Sequence, residues 1–146
     1  MKRILIITYY WPPAGGPGVQ RWLQFVRYFK DFDIAPIVYV PENPSYPLID
    51  KSFEEEVPSE VTVIKRPIKE PYRFAKVLSG TKTRQISSGI ISNEKQSFVE
   101  KLLLFVRGNY FIPDARVGWV KPSVSFLKEY ISENPVDVII TSGPPH

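Results

Sequence analysis

The chain opens on an apolar run, Ile4-Leu5-Ile6-Ile7, with no polar residue interleaved. Unbroken β-branched runs suit a strand covered on both faces, which predicts a central strand over residues 3–8. The period then changes. Val19, Trp22, Leu23, Val26 and Phe29 recur at helical spacing, while Gln20, Arg21, Gln24, Arg27 and Lys30 fill the other positions. That pattern predicts an amphipathic helix over 19–30 lying on one face of the sheet, with Trp22 in the core.

A second strand is expected over 34–40, stopped by Pro41-Glu42-Asn43-Pro44, and a third over 61–65, stopped before Pro67. The turn-rich stretch between them has room for a short helix at 52–56. Residues 71–78 are compatible with a helix, and the Ser-, Thr- and Gly-rich stretch 79–94 reads as a mobile segment or lid. Phe98, Val99, Leu102, Leu103 and Val106 mark a helix closed by Gly108. Val120, Val124, Leu127 and Ile131 mark another, in which Pro122 is tolerable only in the first turn and which Asn134-Pro135 closes.

A fourth strand is expected over 136–141. Strands alternating with helices predict an α/β fold, a Rossmann-like open parallel sheet of order 3-2-1-4 with helices on both faces. That order puts the fourth strand outermost, although Val138-Ile139-Ile140 reads as a strand with two neighbours. The expectation is a piece of a longer protein whose bare edge pairs with a second copy, a homodimer through the fourth strand.

Composition narrows the classes. A chain of 146 residues with 43% hydrophobic content suits one domain with its own core. Without a single cysteine, disulfide frameworks, thiolate metal sites and cysteine nucleophiles are excluded, and a reducing cytoplasmic location is expected. Met1-Lys2-Arg3 before residues 4–7 resembles the start of a signal peptide, but the apolar run stops at Thr8. The net charge of +4 is unevenly spread. Glu42, Asp50, Glu54, Glu55, Glu56 and Glu60 are opposed by Lys51 alone, whereas Lys65, Arg66, Lys69, Arg73, Lys76, Lys82 and Arg84 are opposed by Glu70 alone. Such a basic segment attracts nucleic acid, anionic lipid or a phosphorylated substrate, or else is a solvated face. Within it Tyr72, Phe74, Val77 and Leu78 alternate with Arg73 and Lys76, as in a segment lying on an anionic membrane surface or packed on its own domain.

The strand-to-helix connection carries the candidate chemistry. Tyr9-Tyr10-Trp11-Pro12-Pro13-Ala14-Gly15-Gly16-Pro17-Gly18 combines glycines with a helix start, a combination that lets backbone N–H groups approach an anion. Against the dinucleotide fingerprint G-x-G-x-x-G, Gly16 and Gly18 match and Arg21 replaces the third glycine; Glu42 would be the ribose-binding acid. Ten residues separate Thr8 from Val19, too many for a tight dinucleotide turn, and no Gly-Lys-Ser/Thr follows as in a P-loop. A dinucleotide-dependent oxidoreductase domain using Glu42 and a non-enzymatic nucleic-acid- or partner-binding domain using the basic segment both stay open.

Two more clusters stand out. Asp114 and Arg116, with Tyr110 and Trp119 nearby, suit sugar binding by carboxylate and aromatic face, or form a pair that organises the loop and caps the next helix. His146, the one histidine, follows Ser142-Gly143-Pro144-Pro145 at the carboxyl end of the last strand, where ligands bind in open α/β folds. Trp11 could belong to the loop or to the core.

Ile6-Ile7-Thr8-Tyr9-Tyr10-Trp11-Pro12-Pro13, Gly15-Gly16 and Arg21 resemble the amino terminus of family 4 glycosyltransferases of the GT-B fold. The resemblance extends to Phe111-Ile112-Pro113-Asp114-Ala115-Arg116 with Trp119 and to Thr141-Ser142-Gly143-Pro144-Pro145-His146. It implies that residues 1–146 are an incomplete N-terminal, acceptor-side domain whose C-terminal donor-binding domain, with its Glu-x7-Glu motif, is absent. The implied activity is retaining transfer of a sugar from a nucleotide-sugar donor to a saccharide or lipid-linked acceptor in polysaccharide biosynthesis. Gly15, Gly16 and Arg21 would approach the donor diphosphate. Asp114, Arg116, Trp119, Ser142 and Gly143 would contact the acceptor, and His146 would be the catalytic candidate. No metal, cofactor or nucleic acid is expected, the nucleotide-sugar being a substrate, and membrane attachment would be peripheral, at the inner face.

Overall fold

The computed structural model describes residues 1–68, 105 and 116–143. Four strands form one sheet: β1 (Lys2–Thr8), β2 (Ile34–Pro41), β3 (Thr62–Arg66) and β4 (Val138–Ser142). All pair in parallel in the order β3-β2-β1-β4, the order expected from the sequence. Ile4 to Ile7 therefore lie in the interior of the sheet, between β2 and β4. Helices α1 (Pro17–Phe29), α2 (Ser52–Glu55) and α3 (Val117–Glu133) accompany the sheet, with a short 3-10 turn (Lys30–Phe32) directly after α1.

Strand alternation sends successive side chains to two separate cores. Ile6, Val38 and Val40 pack with Val19, Trp22, Leu23 and Val26 of α1, joined by Trp11, Ala14 and Phe53. Leu5, Ile37 and Tyr39 meet Leu127 on the opposite face, with Trp119, Phe126, Tyr130 and Ile131 of α3 around them. Helices thus cover both faces. Trp11 is only 2% exposed, which places it in the core together with Trp22.

The acidic segment supplies counter-charges for α1. Glu56 pairs with Arg27 at 3.3 Å and Glu60 with Lys30 at 3.6 Å. At the amino ends of the strands, the Arg3 N–H donates to the Asp137 carboxylate at 2.7 Å and the Asp137 N–H donates to the Arg3 carbonyl at 2.8 Å. Asp137 is consumed by this bracket and Val136 by the second core, so β4 starts two positions later than the apolar pattern suggests.

Helix α3 corrects one expectation. It starts at Val117, so Pro122 lies beyond the first turn. Proline there brings no N–H for the Gly118 carbonyl, and both residues lie on the exposed side of the helix, where the loss is least costly. The expected helix at 71–78, the segment 79–94 and most of the helix around 98–106 lie outside the described residues; Phe105 alone is described there, and it is helical. Among the described residues no helix is long and apolar enough to cross a membrane.

Candidate functional site

In an open parallel sheet the crevice forms where strand order reverses, outside the carboxyl ends of the strands. Here that point is β1, whose chain moves on to β2 on one side while β4 pairs on the other. Thr8 and Ser142 are register partners at the carboxyl end of β1 and β4. Thr8 is buried, its hydroxyl donating to the Tyr10 carbonyl at 3.3 Å, and Gly143 follows Ser142 at the exposed rim.

The three glycines beyond β1 occupy three different environments. A Cβ on Gly15 would meet Leu48 Cγ at 2.9 Å, and the Gly15 N–H already donates to the Leu48 carbonyl at 3.0 Å. Gly16 caps α1 with φ 110°, a conformation open chiefly to glycine, and its carbonyl accepts from Val19 and Gln20, each at 3.2 Å. Gly18 has nothing within 4 Å of where a Cβ would stand, and the same holds for Gly16. Among the described residues neither the Gly16 nor the Gly18 N–H has a hydrogen-bonding partner. Arg21 lies exposed one turn further along α1, with no ion pair among the described residues.

The aromatic lead-in forms a cluster beside this helix start. Tyr9 packs edge-on against Tyr10 and Tyr46, at 5.0 and 5.7 Å, and Tyr10 stacks on Tyr46 at 5.8 Å. The Tyr9 hydroxyl accepts from the Ser45 N–H at 3.1 Å, and the Tyr46 hydroxyl donates to the Tyr9 carbonyl at 3.0 Å. Arg116, the residue before α3, sets its guanidinium 4.0 Å from the Tyr9 ring centre and 5.9 Å from that of Tyr10. A cation over an aromatic face is electrostatically favourable. It also joins the start of α3 to the connection that leads into α1.

The residues singled out from sequence therefore divide. Gly16, Ser142, Gly143 and Arg116 belong to this edge of the sheet, whereas Gly15 is filled by Leu48. Trp119 stacks on Tyr39 at 5.2 Å in the second core, on the α3 face, with its indole N–H buried and unpaired among the described residues. Asp114 and His146 lie outside the described residues. Glu42 is exposed just past β2, its N–H donating to the Arg66 carbonyl at 2.8 Å. Of the basic segment, Lys65 and Arg66 are described; Arg66 lies 4.3 Å over the Phe126 ring. Among the described residues no group of three or more acidic or imidazole side chains could hold a metal ion.

Sequence reasoning passed over Ser45, Tyr46 and Leu48. The available signal was positional: a loop directly after a strand opens on the carboxyl edge, where function concentrates. Comparison of the chain with known protein families, curated proteins and solved structures gives no match.

Proposed function

We propose that this chain is the acceptor-side half of a GT-B glycosyltransferase that moves a sugar from a nucleotide-sugar to a saccharide or lipid-linked acceptor. The observation that carries the proposal is the open start of α1. Among the described residues the Gly16 and Gly18 N–H groups have no partner, and they follow β1, the strand-order reversal, where positive helix-end charge favours a diphosphate. Arg21 adds a cation along the same helix, and Thr8, Ser142 and Gly143 line the neighbouring strand ends.

In this reading the backbone amides hold the donor diphosphate while the glycosidic bond to it breaks. Charge growing on the leaving group is stabilised by dipoles already in place, at no cost of reorganisation. Arg116, with the tyrosines beneath it, and Ser142 orient the acceptor, together with Asp114 and His146. Most donor contacts would come from a second domain. The dinucleotide alternative is disfavoured by Arg21 in place of the third glycine and by the stretch from Tyr9 to Gly16 between strand and helix, too long for a tight dinucleotide turn.

Amide NMR of the labelled chain, titrated with pyrophosphate, nucleoside diphosphates, their sugar conjugates and NAD, tests the proposal. Weak shifts confined to Gly16, Gly18, Arg21 and Ser142 with the diphosphates are expected. Saturable NAD binding that Glu42→Gln abolishes would move the chain to the oxidoreductase class.

A further inference from the structure

Leu48 takes the space over Gly15 although it is itself 56% exposed. The connection it touches has few ways to hold itself: Pro12, Pro13 and Pro17 bring no N–H, and the Ala14 N–H donates to Trp11 at 2.9 Å. Rigidity must come from outside: Trp11 and Ala14 are anchored in the α1-face core, and the main-chain bonds come from the loop after β2. Ala14 and Ile49 form an antiparallel bridge, flanked by the Gly15 N–H to the Leu48 carbonyl at 3.0 Å and the Asp50 N–H to the Pro13 carbonyl at 2.8 Å. Four residues earlier, Ser45 and Tyr46 bond Tyr9 at the other end of the same connection.

We infer that the chain from Ser45 to Asp50 is a positioning clamp for the glycine loop, and that Gly15 lacks a side chain to admit Leu48 rather than to admit a ligand. The clamp uses the Gly15 amide and leaves those of Gly16 and Gly18 without a partner among the described residues. It separates two roles within one motif: Gly15 and Leu48 set the loop's shape, whereas Gly16 and Gly18 present it. The functional importance of the clamp rests on the glycosyltransferase proposal, but its existence does not.

Amide hydrogen exchange without any ligand tests it, so a failed diphosphate titration leaves this result standing. Three variants are compared: Gly15→Ala, Leu48→Ala and the two combined. Gly15→Ala pushes the leucine off, and exchange at positions 15 and 50 should rise about tenfold or more while β1 and β2 stay protected. Leu48→Ala keeps the main-chain bonds and should raise it less. The combined variant should bring both amides back toward the Leu48→Ala level, because the two closest clashes, with Leu48 Cγ and Cδ2, are gone and only the 3.3 Å approach to Asp50 Cβ is left to relax. Unchanged exchange in Gly15→Ala, or a combined variant as open as Gly15→Ala, would overturn the clamp. If Gly15→Ala does not fold, folding of the combined variant supports the same conclusion and its failure to fold refutes it.

Discussion

On the α1 face, Ile6, Val38 and Val40 are sealed beneath Val19, Leu23 and Val26, each at most 2% exposed. On the α3 face, Leu5 and Ile7 line an apolar groove of about 450 Å³, bounded by Val124, Leu127, Ile131 and Ile139. The strands supply similar side chains to both, so strand composition does not decide how well a face is covered. Helix placement does: α1 spreads four buried side chains over β1 and β2, whereas α3 buries Leu127 and Ser123, and among the described residues the flank beside β4 is left uncovered.

The largest test compares one leucine from each helix. Leu23→Ala in α1 leaves a closed cavity and should cost about 3–5 kcal/mol in urea unfolding. Leu127→Ala in α3 enlarges a groove already open to water and should cost nearer 2 kcal/mol, the low end for such truncations. Equal losses would break the contrast between the faces, because both helices would then seal their strands equally well.

Tyr39 sharpens the contrast by its chemistry. Its hydroxyl lies in the α3-face core, 2.9 Å from the Ser123 hydroxyl. Tyr39→Phe orphans that serine and should cost about 1–2 kcal/mol. Burial raises the phenol's pKa above its ordinary value of 10, with the Ser123 bond and Arg66 working weakly the other way. The unfolded chain therefore releases this proton first. Stability from this group is complete below pH 10 and is lost as pH climbs through the higher folded value. Unfolding measured from pH 8 to 11.5 should show a steeper alkaline decline in the native chain than in Tyr39→Phe, and parallel curves would contradict the assignment.

The fold was legible because its signals are local and periodic. The run Ile4 to Ile7, the helical spacing from Val19 to Phe29 and the proline stops each record one element's burial, and their alternation is enough for the parallel order. Site geometry was less legible. Gly15, Gly16 and Gly18 look alike as letters, and what separates them is Leu48, a residue thirty-three positions from Gly15 that no local pattern couples to it. Trp119 makes a similar point: an aromatic beside Arg116 reads as a sugar platform, and only the folded chain shows its ring stacked on Tyr39. Pro122 shows the limit of cap rules, since an exposed position in α3 carries a proline that the pattern confines to the first turn.

The smallest effect belongs to the open flank itself. Ile139 is 51% exposed and lines the groove from the β4 side. Ile139→Thr keeps the β-branched shape that suits a strand and removes apolar surface that water already reaches, so stability should stay within about 0.5 kcal/mol. What should change is association. β3, at the opposite edge of the sheet, carries Lys65 and Arg66 and is followed by Pro67, the residues that discourage strand addition, whereas β4 from Val138 to Ser142 has no charge and no proline. Sedimentation of the native chain over rising concentration should therefore reveal self-association that Ile139→Thr weakens and that Lys65→Ser in β3 leaves unchanged. Association abolished by the β3 substitution instead would locate the reactive edge on the wrong side of the sheet and remove the link between poor helix cover and an open edge.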